Sequence, residues 1–172
     1  MASWLVFLIL SATNFPLNKN IEQNVGDTIV VYFSQRTLIV YNSNSFPVAS
    51  YPVAIPRDSV KVILPVYGQV VRAQLHPNWY PTQGLINYYK RRGIVLPKVI
   101  KAGDPLNAMG EGKIIIKFTG GYITPFSRIH GTYQERLIGK KVSSGCIRMK
   151  NTDIKALIKI IKNKKTLVIY KQ

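Results

Sequence analysis

The sequence predicts a mostly β domain with one or two helices. Three observations carry that expectation. Val, Ile and Tyr are plentiful and aromatic residues make up 10% of the chain; such side chains suit a pleated, half-buried surface. Short apolar runs bounded by turn residues recur along most of the chain. Only Thr152 to Ile161 shows sustained helical spacing. There Ile154, Leu157, Ile158 and Ile161 line one stripe, Thr152 is placed to cap the start, and Asp153 suits the positive N-terminal end. That stripe reads as core.

Taken in order, Trp4 to Leu10 is an unbroken apolar run followed by Ser11, Ala12 and Thr13. It is too short to span a bilayer as a helix. It has the length of a signal-peptide core, so residues 1–13 are expected to be an export signal or an apolar N-terminal segment, although no Lys or Arg directly follows Met1. Residues 14–26 are polar and read as a tether, and the domain is expected over 27–172. Thr28 to Phe33 and Thr37 to Tyr41 flank Ser34-Gln35-Arg36 and predict a hairpin. Phe46 to Ile55 is a third extended segment, and its two prolines suggest an edge position. Lys61 to Leu64 and Gly68 to Gln74 read as two further strands. His76 to Thr82 is full of turn residues around Trp79. Leu85, Tyr88, Tyr89 and Arg92 have helical spacing that Gly93 can end. Ala102 to Gly112 is a loop, whereas Lys113 to Phe118, Arg128 to His130 and Lys165 to Tyr170 read as strands.

A length of 172 residues fits one domain with a proper core, and 47% apolar against 18% charged residues excludes a disordered chain. The formal net charge of +17 attracts polyanions: nucleic acid, anionic lipid or anionic wall polymer. A nucleic-acid interface concentrates its basic residues on one element. Here they run from Lys19 to Lys171, with short clusters at Lys90-Arg91-Arg92, Lys140-Lys141 and Lys162 to Lys165, which argues against nucleic acid. One cysteine excludes an internal disulfide.

Two segments carry chemistry: Ile129-His130-Gly131-Thr132 and Ser143-Ser144-Gly145-Cys146-Ile147-Arg148-Met149. A thiol is a weak nucleophile until deprotonated, and an imidazole nearby can take its proton and hold the thiolate as an ion pair. Small residues before Cys146 let the backbone approach a substrate carbonyl. The amides of Gly145 and Cys146 can then face a developing oxyanion. Arg148 can bind a carboxylate in bidentate fashion. Ser143 and Thr132 either orient His130 or cap turns, and Trp79 either lines a cleft or plugs the core. His76, His130 and Cys146 are the soft ligands available, and their spacing suggests no metal site.

These segments resemble the catalytic core of the YkuD-type L,D-transpeptidases, whose pattern is His-Gly-Thr, a spacer, Ser-x-Gly-Cys-(Ile/Val)-Arg, then Asn-x-Asp opening a helix. Asn151-Thr152-Asp153 fits the tail. Pro77-Asn78-Trp79-Tyr80-Pro81 and Ala102 to Gly110 are similar to upstream segments of the family's ErfK/YbiS-like branch, and the resemblance covers about Asp27 to Tyr170. Ser144 stands where many members carry a second His, and Leu64-Pro65-Val66-Tyr67-Gly68 replaces a family Thr-Pro-x-Gly turn.

The resemblance implies a YkuD-like β-sandwich or barrel and a peptidoglycan substrate in an exported protein. Cys146 is the implied nucleophile and His130 its base. Gly145, Ser144, Ser143, Gly131 and Thr132 form or orient the oxyanion site, with Arg148 and Trp79 on the substrate side. Cys146 attacks a tetrapeptide stem, D-alanine leaves, and an amine of another stem or an anchored envelope protein resolves the thioester. No metal or organic cofactor is implied. Two alternatives stay open: an L,D-carboxypeptidase or related hydrolase at the same site, and a non-catalytic basic binder of anionic wall polymer or nucleic acid.

Overall fold

A computed structural model describes residues 26–172; the segment expected over 1–13 and all but the last residue of the tether expected over 14–26 lie outside the described residues. Ten strands and two α-helices follow in the order β1 (Thr28–Tyr32), β2 (Thr37–Tyr41), β3 (Pro47–Pro52), β4 (Ile55–Pro56), β5 (Ile63–Leu75), α1 (Gln83–Lys90), β6 (Gly112–Tyr122), β7 (Arg128–His130), β8 (Lys141–Ser143), β9 (Ile147–Arg148), α2 (Asn151–Ile160) and β10 (Leu167–Lys171). A short 3-10 helix, Glu135–Leu137, precedes β8. The mostly β expectation holds, with both helices where helical spacing placed them. Among the described residues no helix is long and apolar enough to cross a membrane.

Eight strands form one sheet in the order β3-β2-β1-β10-β5-β6-β7-β9, while β4 and β8 pair separately. The β1–β2 hairpin alternates as period two demands: Ile29, Val31, Leu38 and Val40 all point into the core. β10 lies parallel to β1 and antiparallel to β5. β3 is the edge strand that Pro47 and Pro52 suggest. The sheet curls until its ends meet: just past β3, Ala54 exchanges two backbone hydrogen bonds with Arg148 of β9, each 2.9 Å. The interior so enclosed holds Tyr170, Ile114, Ile129, Ile147 and Met149, all without solvent exposure.

Helix α2 closes one side by burying Ile154, Leu157, Ile158 and, at its C-cap, Ile161. Gly112 at the start of β6 allows that approach, since a Cβ there would sit 2.8 Å from Ile158 Cδ1 and 3.0 Å from Ile154 Cγ1.

Two details differ from the sequence reading. The two strands expected over 61–74 are one long strand, β5, which continues through Pro65 where a turn was expected. Register shifts near Tyr67 and Val70 absorb the irregularity, and pairing with β6 and β10 keeps the segment extended. Thr152 does not cap α2. Lys150 holds the N-cap position, and Glu135 Oε1 accepts the Asn151 N–H at 2.7 Å, so a carboxylate from the 3-10 helix supplies the cap. Thr152 Oγ1 donates to Asp153 instead. Helix α1 is capped by Thr82 and buries none of its residues.

Candidate active site

The centre is built on the last two strands of the sheet. β7 and β9 run parallel, with Ile129 opposite Ile147 and His130 opposite Arg148. Both isoleucines face the core. Alternation therefore puts Arg128, His130 and Arg148 on the other face, and extending the register back one step adds Cys146 opposite Arg128. Cys146 and His130 are diagonal neighbours on one face, at a backbone separation of about 8 Å.

His130 is 3% exposed and its Nδ1 bonds to the Gly131 carbonyl oxygen. A carbonyl only accepts, so Nδ1 carries the proton in that contact. Burial pushes the His130 pKa down from 6.5 to about 4; the Gly131 hydrogen bond opposes this, the Arg148 and Lys113 charges add to it, and a backbone hydrogen bond to Ala108 opposes it again. Burial also raises the Cys146 pKa, against the backbone of Arg128 and the charges of Arg128 and Arg148. The thiol donates to the Phe126 carbonyl at 3.8 Å. The resting pair is thus neutral thiol and neutral imidazole, not the ion pair expected from sequence, because burial disfavours both charges and two cations repel an imidazolium. Arg128 and Arg148 favour negative charge as it develops on sulfur or on a bound carbonyl.

The loop bearing Cys146 is held from within. Ser143 Oγ donates to the Cys146 carbonyl at 2.5 Å and accepts the Gly145 N–H at 3.2 Å. This corrects one expectation: the Gly145 amide is already partnered and does not face an oxyanion. The Gly145 carbonyl turns inward to accept from Ser127 Oγ at 2.6 Å. In a planar trans peptide the N–H points opposite to the C=O, so pinning that carbonyl inward aims the Cys146 N–H outward. Among the described residues nothing accepts that N–H.

Neither Ser143 nor Thr132 bonds the imidazole; Thr132 Oγ1 accepts the Gln134 N–H in a turn. Gly131 orients His130 through its carbonyl. Ser144 is exposed. Arg148 stands beside both reactive groups, near enough to act on each. Trp79 is half-buried and lies in the β5–β6 connection, its backbone paired with Ile100. That connection reaches the centre through Asn107, which donates to Pro77 O at 2.8 Å and Lys101 O at 3.0 Å, next to Ala108, which bonds the imidazole.

Five residues gain roles that sequence reasoning did not assign. Arg128 and Lys113 belong to the charge environment, and the strand spacing around His130 could have revealed Arg128. Ser127 gave no sequence signal, and neither did Asn107. Asn151 clamps the histidine loop: its Oδ1 accepts the Glu111 N–H and its Nδ2 donates to Thr132 O, both at 2.9 Å. Asn151→Ala is expected to cost about 1–3 kcal/mol, as buried partners lose their bonds, and to slow reaction at Cys146 more than it lowers substrate affinity; urea unfolding and a kinetic titration measure the two effects.

A sequence profile of the YkuD L,D-transpeptidase catalytic domain matches residues 26–169. The probable L,D-transpeptidase YcfS of Escherichia coli is 32% identical over 148 residues, covering 86% of this chain and 45% of that protein. The probable L,D-transpeptidase ErfK/SrfK of E. coli is 34% identical over 147 residues, again covering 86% and 45%. The chain thus spans about half the length of these curated relatives. Among solved structures, an L,D-transpeptidase from Mycobacterium tuberculosis aligns with TM-score 0.56 at 13% identity, covering 86% of this chain and 58% of that one. The catalytic domain of the Enterococcus faecium L,D-transpeptidase acylated by ertapenem aligns with TM-score 0.56 at 12% identity, covering 85% and 97%. With a fold of this kind, and the profile matched over nearly all the described residues, the chain belongs to the L,D-transpeptidase family through its YkuD catalytic domain.

Proposed function

We propose that the protein is a peptidoglycan L,D-transpeptidase that works through a Cys146 thioester. The carrying observation is the juxtaposition on one face at β7 and β9: a thiol, an imidazole that burial keeps neutral, and an outward, unpartnered Cys146 amide. His130 Nε2 takes the thiol proton as sulfur attacks the carbonyl before a terminal D-alanine. The Cys146 N–H receives the oxyanion, and Arg148 binds a stem carboxylate. The imidazolium then returns its proton to the departing D-alanine nitrogen, leaving a thioester. An amine from a second stem or an anchored envelope protein attacks it, giving its proton to Nε2 and restoring the thiol.

Export to the cell envelope belongs to the same proposal. It is supported by the apolar run over 4–10 and by the net charge of +17, which suits an anionic surface. Arg72, Lys159 and Lys162 line a groove of about 770 Å³ between β5 and α2 where such a polymer would meet cations.

The test is intact-protein mass after incubation with a disaccharide-tetrapeptide. Wild type should gain a thioester adduct while D-alanine is released, and Cys146→Ala should do neither. A folded, reduced wild type that gives no adduct and no D-alanine overturns the proposal. Added stem amine then shows whether amine or water resolves the adduct.

A further inference from the structure

The basic cluster Lys90-Arg91-Arg92 has no part in the chemistry at Cys146. It belongs to an excursion within the β5–β6 connection. Trp79 and Ile100 exchange two backbone hydrogen bonds, 2.8 and 2.9 Å, which close the base of residues 80–99. Beside that base the Ala102 N–H donates to Asn78 Oδ1 at 3.0 Å. Between the two ends the chain carries α1, none of whose residues is buried, and then turns back at Gly93. The Gly93 N–H donates to Lys90 O at 3.0 Å and the Ile94 N–H to Tyr89 O at 3.1 Å. This pairing ends a helix through a left-handed residue, and Gly93 supplies it with φ +74°. The turn therefore sets Ile94 and Val95 beside the three cations on one tip.

That tip combines two kinds of side chain. Ile94, Val95 and Val99 are exposed, Val95 at 88%. Lys90, Arg91, Arg92, Lys98 and Lys101 are exposed around them. No Asp or Glu occurs between Asp58 and Asp104, and among the described residues none of these five cations meets a carboxylate. Arg92 stacks on the exposed Tyr88, its guanidinium carbon 3.7 Å from the ring centre. A soluble polyanion would pair with the cations and leave the aliphatic side chains wet. An apolar groove on a protein would cover the aliphatic side chains and strip water from the cations. An anionic bilayer surface suits both: aliphatic groups enter the acyl boundary, while ammonium and guanidinium heads stay among the phosphates.

We propose that the tip over residues 88–99 is a docking site for an anionic lipid surface, with Ile94, Val95 and Val99 entering the bilayer inside a collar of Lys and Arg. The site stands apart from the acyl-transfer reading, and its test does not measure activity. The base of the excursion is bonded to Asn107 through Pro77 O and Lys101 O, so a docked tip also sets how the connection beside His130 stands relative to the bilayer.

The test uses the full chain with vesicles of phosphatidylcholine, alone or mixed with phosphatidylglycerol. Hydrogen exchange read by mass on peptides reports the tip itself, separately from any contribution of the apolar run over 4–10, which every variant retains. In wild type, mixed vesicles should slow exchange over 88–99, neutral vesicles should not, and added NaCl should reverse the effect. In Lys90→Gln/Arg91→Gln/Arg92→Gln the lipid concentration that half-protects the tip should rise about a hundredfold. In Ile94→Ser/Val95→Ser it should rise about tenfold. All five side chains are exposed, so both variants should melt as wild type does. Tip amides that mixed vesicles leave unprotected in wild type overturn the proposal, and so does equal protection by neutral vesicles. Protection that survives Ile94→Ser/Val95→Ser and that soluble long-chain polyphosphate reproduces identifies a polyanion site and overturns it as well.

Discussion

Replacing His130 with Gln is expected to slow acylation of Cys146 about a thousandfold at pH 7, the scale of a lost general base. The pH profile separates this role from packing. In wild type the base is lost only as pH falls through about 4, because burial and the nearby cations hold the His130 pKa there. The wild-type rate should therefore stay level from neutrality to about pH 5 and fall below that. The variant should lose that acid limb and depend on hydroxide, its rate rising with pH as the thiol ionises. Stability carries a second signature. Between pH 6.5 and about 4 the unfolded chain takes a proton on this histidine that the folded chain refuses. Its contribution is thus complete above pH 6.5 and is lost as pH falls toward 4, a change of about 3 kcal/mol. Urea midpoints across that range should slope in wild type and flatten in His130→Gln. Equal slopes would show that the imidazole is not held neutral by burial.

The second large effect is expected at Gly145. Its φ is +130°, where a side chain is strained, and an added Cβ would collide with Thr124 Cγ2. Gly145→Ala should cost about 2–4 kcal/mol through strain and overpacking. It should also slow acylation about a hundredfold by turning the Gly145–Cys146 peptide away from its orientation. Thr124→Ser removes the colliding methyl and not the backbone strain. The double variant should recover part of the stability and little of the rate. Full recovery of both would mean that crowding, not backbone conformation, fixes the peptide.

Local patterns were legible in the sequence. The β1–β2 hairpin, the buried stripe of α2 and the edge position of β3 follow from period, turn residues and proline, which act over a few neighbours. Cys146 and His130 were named from their flanking residues, and the structure sets Cys146 just before β9, the strand that pairs with the strand of His130. What escaped depends on contacts between distant segments. The cap of α2 comes from Glu135, which no rule about the residues adjoining Asn151 would find. The continuity of β5 through Pro65 is decided by β6 and β10 on either side. The neutral resting pair depends on burial, and burial appears only when Ala108 and the β5–β6 connection close over His130. Ser127 is an ordinary turn residue until the fold sets its hydroxyl against the Gly145 carbonyl.

The meeting of Ala54 with Arg148 bears on when the thiol becomes useful. β9 is two residues long and is held by β7 on one side and by Ala54 on the other. The β1–β10 pairing joins Thr28 to Leu167. Contacts that span so much of the chain close long loops, at an entropic cost that local contacts do not carry. The loop bearing Cys146 has no finished frame until those distant partners have docked. Reactive geometry at sulfur is in this sense a readout of completed folding: a nascent or misfolded copy carries an ordinary thiol with no aimed amide beside it, and acquires its chemistry only when the sheet has closed.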